Sequence, residues 1–152
     1  MITRRTFVTS PLWIAFAGLA AADSEWKESD TIQPKDLAKR LAGSGKPMIL
    51  HVGFANGYNQ KHIPGAIYAG PGNKPEGLEK LKKAVANTPK NTEIVLYCGC
   101  CPWDHCPNMK PSFAALRAAG FKNVKAMVIE NNFGKDWIDQ GFPVQSTDSS
   151  EK

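Results

Sequence analysis

The sequence predicts a single α/β domain: a mostly parallel sheet with helices on both faces. Two observations carry that expectation. Short apolar runs of strand length, at residues 48–52, 93–97 and 124–129, alternate with segments whose apolar residues recur at helical spacing. Strands joined through helices run parallel and are covered on both sides, so their runs are apolar throughout rather than alternating. The length of 152 residues suits one core, and a composition 42% apolar and 22% charged buries that core without needing disulfides.

In chain order, residues 33–41 read as a helix, with Leu37 and Leu41 on one face, Pro34 near its start and Gly43 and Gly45 stopping it. Lys46-Pro47 then feeds Met48-Ile49-Leu50-His51-Val52, a buried strand. Asn56-Gly57-Tyr58 reads as a turn, and residues 62–68 as a tight bend leading into a second short strand. Leu78, Leu81 and Val85 share one face of a helix over residues 78–86. Glu93-Ile94-Val95-Leu96-Tyr97 is the most apolar strand and runs directly into Cys98. A helix over residues 110–119 carries Phe113 and Leu116 and ends at Gly120. Residues 124–129 form the last strand, 131–134 a turn, and 136–140 a short helical turn. No internal repeat or linker interrupts this order.

Residues 1–22 read as a cleaved export signal: Arg4 and Arg5 without an acid, a short apolar run, then Ala20-Ala21-Ala22 before Asp23. Thr3-Arg4-Arg5-Thr6-Phe7-Val8 resembles a twin-arginine signal, with an ordinary secretory signal as the alternative. The run is too short for a membrane span, which needs about 20 apolar residues. No stable membrane anchor is therefore expected after cleavage, and the compartment expected is periplasmic or extracellular. There thiols tend to oxidise. Residues 23–30 are a leading segment, 31–145 the domain, and 146–152 an expected disordered tail. The net charge of +5 falls to +3 once Arg4 and Arg5 are removed. The lysines are scattered among acids and turn residues with no aromatic interleaving, so no nucleic-acid partner is expected.

All four cysteines lie within Cys98-Gly99-Cys100-Cys101-Pro102-Trp103-Asp104-His105-Cys106. Three chemistries fit such a concentration: a nucleophile that carries sulfur, a thiol–disulfide switch, or a metal cage. Cys98 follows the central strand directly, and ligands of parallel sheets bind beyond the carboxyl ends of the strands. The helix that starts near Lys110 aims its free N–H groups back at this loop, favouring a thiolate or persulfide anion. Cys98 and Cys101 stand at Cys-x-x-Cys spacing, so a disulfide from Cys98 to Cys101 or to Cys106 is expected. Adjacent Cys100 and Cys101 are disfavoured as partners by their short Cα separation. A Cys3His set of Cys98, Cys101, His105 and Cys106 is the metal alternative, suited to zinc or Cu(I). His105 is otherwise a base or an exposed hydrogen-bond donor. Trp103 is a hydrophobic lid or a partner anchor, and His51 and His62 are expected to be structural.

Four ordered landmarks resemble the rhodanese-like domain: His62-Ile63-Pro64-Gly65-Ala66, then Ile94 to Cys98, then Leu116 to Phe121 with Asn123-Val124, then Trp137, Gly141, Pro143 and Val144. The resemblance covers roughly residues 31–145 and implies a central sheet of about five strands with helices on both faces. It implies a sulfurtransferase in which Cys98, without a cofactor, takes sulfur from a small donor as a persulfide and passes it to a thiol acceptor. Cys100, Cys101 and Cys106 would be auxiliary or resolving thiols. Gly99, Trp103, Asp104 and His105 would shape the site, and a redox partner protein is a possible reductant. The chain departs from the family pattern in an enlarged loop without arginine and in His51-Val52-Gly53 where an Asp-Val-Arg is usual. Asp104 stands where Cys-x5-Arg chemistry would need a cation, which disfavours phosphatase-like activity and puts thiosulfate in doubt as donor.

Overall fold

A computed structural model describes residues 26–147; the expected export signal and most of the expected tail lie outside them. The strands are β1 (Thr31–Ile32), β2 (Met48–His51), β3 (Ile67–Tyr68), β4 (Ile94–Tyr97) and β5 (Val124–Met127). The α-helices are α1 (Pro34–Ala42), α2 (Ala55–Gln60), α3 (Pro75–Ala84) and α4 (Met109–Ala118). All four strand pairings are parallel, in the order β1-β5-β4-β2-β3. The α/β class and the five-stranded parallel sheet expected from the sequence are what the structure has.

Successive strand residues face opposite sides, so each strand feeds two cores. Leu50, Ile94, Leu96, Val124 and Ala126 pack with Leu81 of α3 and Leu116 of α4. Ile49, Val95, Tyr97 and Met127 pack with Leu37 of α1, Ile63 and Trp137. Leu50, Ile94, Val95 and Leu96 are fully buried, and each such side chain contributes about 1.5–3 kcal/mol by leaving water. In register, Met48 pairs with Ile94 and His51 with Tyr97. The carboxyl ends of β2 and β4 therefore finish level, and the segments that leave them run side by side.

Several local expectations change. Residues 56–58, expected as a turn, lie inside α2. Tertiary anchoring overrides weak propensity there: the Tyr58 hydroxyl donates to the Ala66 carbonyl at 2.8 Å, and its ring stacks on His62 at 4.0 Å. Helix α3 begins at Pro75, earlier than expected, because proline suits the first helical position. Strand β1, two residues long, was too short to leave a periodic signal. Beyond β5, Ile129 accepts a backbone hydrogen bond from Trp103 at 2.8 Å, so the expected end of that strand serves the cysteine loop. Residues 134–138 form a single π-helical turn that buries Trp137. Ser146 and Thr147, expected in the tail, donate to the Asn59 carbonyl at 3.2 and 3.1 Å. No helix among the described residues is long and apolar enough to cross a membrane.

Candidate active site: a thiol cluster at the carboxyl end of the sheet

Cys98 leaves β4 buried, at 5% exposure. Gly53, just past β2, lies against it. A Cβ on Gly53 would sit 2.7 Å from the Cys98 carbonyl oxygen and 3.0 Å from both the Cys98 Sγ and His51 Cε1. Only a residue without a side chain lets the two strand exits approach this closely. Gly99 then turns the chain at φ +84°, where a Cβ would meet Phe133 at 3.0 Å, and its carbonyl accepts the Phe133 N–H. That turn folds Cys100 back, placing its Sγ 3.1 Å from the Cys98 Sγ and 3.2 Å from the Cys101 Sγ. Cys106 returns from the far arm of the loop, and the sulfurs of Cys98, Cys100 and Cys106 all lie within 4.8 Å of one another.

Asn108, the residue before α4, is fully buried. Its side chain does not cap its own helix. Its Oδ1 accepts the Asn73 N–H at 3.1 Å, which fixes the amide orientation and aims Nδ2 at the sulfurs. Nδ2 donates to Cys98 Sγ at 3.4 Å and reaches Cys106 Sγ at 3.9 Å. Asparagine before a helix signals a cap in sequence, so this role was not legible there.

Cys98, Cys101 and Cys106 perturb one another's ionisation. Cys106 is brought down to about 5, chiefly by the hydrogen bond from the Cys98 thiol and then by the Asn108 backbone N–H. Cys98 is pushed up, first by that same partnership with the Cys106 thiolate and then by burial, against the Cys100 backbone N–H that favours its ionisation. Burial, followed by hydrogen bonds to Cys100 and Cys106, raises Cys101 to about 12. Two like charges this close cannot both persist, so Cys98 and Cys106 hold one negative charge between them, bridged by their shared proton.

An open cleft of about 940 Å³ exposes the cluster on one side, lined by His51, Phe54, Lys61, Cys98, Cys100 and Phe133 among others. Its size suits a small molecule. His51 is 4% exposed and enclosed by the rings of Tyr58, Tyr68 and Tyr97. Burial, then the neighbouring His62, lowers it to about 4, so its imidazole is neutral. Its Nδ1 has no hydrogen-bond partner. Expected to be structural, His51 also lines the cleft, while its unsatisfied Nδ1 is buried. His62 does behave as scaffold: its Nδ1 bonds the Tyr58 carbonyl at 2.7 Å.

The remaining loop residues lie elsewhere. Trp103 does not line the cleft; its ring packs 5.0 Å from that of Trp26, which in turn packs 4.9 Å from Phe113. It anchors the loop crown to the domain instead of covering the cleft. Asp104 and His105 form an exposed pair at 2.9 Å. The metal set expected from spacing, Cys98, Cys101, His105 and Cys106, is therefore not the one gathered here. Cys100 replaces Cys101 because the Gly99 turn brings it inward, and His105 points to solvent.

A parallel α/β domain with a buried cysteine at the end of its central strand, facing a small-molecule cleft, is the class these features define. The sequence model of the rhodanese-like domain matches residues 33–128, and the chain belongs to that family. Among solved structures it is similar to the BH2092 protein of Bacillus halodurans, at 24% identity over 78% of each chain with a TM-score of 0.60. It is likewise similar to the Alr3790 protein of Anabaena, at 22% identity over 76% of this chain and 91% of that one, with a TM-score of 0.59. A thiosulfate sulfurtransferase of Pseudomonas aeruginosa matches at 25% identity and a TM-score of 0.58; 80% of this chain corresponds to 20% of that one. No curated protein matches the chain.

Proposed function

We propose that the protein is an exported sulfurtransferase in which Cys98 carries sulfane sulfur as a persulfide. The observation that supports this best is the contact of Cys98, at the end of β4 and open to the cleft, with the Asn108 amide and the Cys106 thiol. In the first step the proton shared by Cys98 and Cys106 settles on the Cys106 sulfur as the Cys98 sulfur attacks the outer sulfur of a donor. The new bond joins Cys98 to that outer sulfur. The bond to the donor's remainder breaks, and its electron pair leaves with the remainder. The Cys100 backbone N–H and the Asn108 amide favour the anion on sulfur in both states. The thiolate of an acceptor then attacks the outer sulfur and carries it away, releasing Cys98. Since the loop has no guanidinium for sulfonate oxygens, a persulfide or polysulfide donor is favoured over thiosulfate.

Cys100, whose sulfur lies 3.1 Å from that of Cys98, resolves the persulfide internally in this reading, in place of Cys101 or Cys106, the partners expected from spacing. Its sulfur, once deprotonated, would attack the inner sulfur of Cys98, forming a Cys98–Cys100 disulfide and expelling hydrosulfide. An external thiol or redox partner protein would reduce that disulfide. The test is mass spectrometry of reduced protein treated with an organic persulfide. A gain of one sulfur atom is expected on the native chain at early times, before resolution, and lastingly on Cys100→Ser, and none on Cys98→Ser. Equal sulfur loading by Cys98→Ser would refute the assignment. Export rests on the sequence of residues 1–22. Amino-terminal sequencing of the exported protein should start at or near Asp23, and retention of Arg4 and Arg5 would refute cleavage.

A further inference from the structure

We propose that Cys98, Cys100 and Cys106 also form a three-sulfur site for a soft monovalent metal ion, Cu(I). The geometry is the first argument. The three Sγ atoms lie within 4.8 Å of one another, and a three-coordinate ion with metal–sulfur bonds of about 2.3 Å needs its sulfurs about 4 Å apart. Cys98 and Cys100, at 3.1 Å, must part by under roughly an ångström on that scale. Cys100 is exposed and free to make that adjustment, whereas Cys98 and Cys106 are buried and fix the other two corners.

Donor chemistry is the second argument. The converging atoms are all sulfur, with no carboxylate or imidazole in the group. His105 is turned to Asp104 and solvent. Thiolates without oxygen or nitrogen donors select soft ions such as Cu(I) over hard divalent ones. Three donors suit Cu(I), while a structural zinc site takes four in a tetrahedron. Cys101 touches Cys100 and Cys106 but lies outside the mutually close trio, so it is not one of the three corners.

The surroundings supply the third. Asn108, locked by Asn73, donates toward two of the three sulfurs. Such outer hydrogen bonds orient metal ligands and offset the negative charge they accumulate. The cleft gives an ion access through Cys98 and Cys100. Binding is a cation-for-proton exchange: Cu(I) takes the place of the thiol protons among Cys98, Cys100 and Cys106, with no change of oxidation state. The same Cys98 sulfur cannot hold metal and carry a persulfide, so the two occupancies exclude each other.

The test is an anaerobic titration of the reduced full chain with Cu(I) against a colorimetric Cu(I) chelator, with Zn(II) in a parallel titration. One Cu(I) per chain should be withheld from the chelator. Cys98→Ser, Cys100→Ser and Cys106→Ser should each weaken binding by about 100-fold or more, Asn108→Ala by about 10–100-fold, and Cys101→Ser by less than about tenfold. Circular dichroism of each variant separates loss of the site from loss of the fold. Preference for Zn(II), several Cu(I) ions held with equal affinity, or undiminished binding by folded Cys100→Ser or Cys106→Ser would each overturn the proposal. Persulfide loading of the metal-free protein is measured separately. Loading without copper retention defeats only this inference, and copper retention without loading defeats only the sulfurtransferase reading.

Discussion

The two ends of β4 differ in how their charges are met. At the amino end, Glu93 receives both guanidinium nitrogens of Arg40 from the last turn of α1. That hydrogen bond is the main cause of the lowered Glu93 and of the raised Arg40. At the carboxyl end, Cys98 enters a cluster in which several thiols compete for one negative charge, beside an imidazole whose Nδ1 has no partner. The same strand thus ends in a closed ion pair on one side and in unspent bonding capacity on the other. Unsatisfied groups are costly to keep, and they concentrate where a ligand can complete them.

The largest break in this comparison is Cys98→Ser. It should reduce sulfur loading to background, whereas Glu93→Gln should leave loading intact; mass spectrometry of both variants checks the contrast. Loss of loading in Glu93→Gln would show that the two ends are not independent.

Acid should come next in size, because His51 is neutral in the fold. Its folded value of about 4 lies below the ordinary 6.5, so between these the unfolded chain binds a proton that the folded one refuses. The His51 contribution to stability is therefore full above pH 6.5 and is lost as pH drops toward 4, by about 3 kcal/mol in all. Urea unfolding across that range should show the slope, and His51→Gln should flatten it. The thiols add a second window. From about pH 5, the Cys106 value, up to the ordinary cysteine value of 9.0, the folded chain has already lost a proton that the unfolded chain keeps, so stability rises with pH. Above it the raised Cys98 retains a proton that the unfolded chain loses, and stability falls. Thiolate ultraviolet absorbance should titrate near pH 5 in the native chain, and in Cys106→Ser that step should disappear.

Gly53→Ala sharpens the comparison by touching only the reactive end. The added methyl has no room beside the Cys98 and His51 atoms, and forced overpacking of this kind costs about 1–3 kcal/mol. Sulfur loading should slow as the Cys98 sulfur shifts, measurable by timed mass spectrometry alongside thermal unfolding. The smallest effect belongs to the amino end. Removing the charge in Glu93→Gln should cost less than about 1 kcal/mol, because Arg40 is 38% exposed and solvent screens the pair.

Much of this fold was written in local pattern. The apolar runs of β2, β4 and β5 and the helical spacing of Leu37 with Leu41 and of Leu81 with Val85 depend on side-chain periodicity, which near neighbours in sequence suffice to express. So does the position of Cys98 straight after Glu93-Ile94-Val95-Leu96-Tyr97. What surrounds that sulfur was not written there. Spacing favoured Cys101 and His105 around Cys98, but the left-handed turn at Gly99 brings Cys100 inward, and the pairing of Asp104 with His105 leaves that imidazole in solvent. His51, Gly53, Asn73 and Asn108 reach the site only because β2 ends level with β4 and the loop after β3 meets the start of α4. The sequence by itself determined the alternation of strands and helices and where the thiols lie along the chain. Tertiary structure decided which sulfurs converge, which of them share a charge and which histidine lines the cleft, because these depend on contacts that the order of residues along the chain does not express.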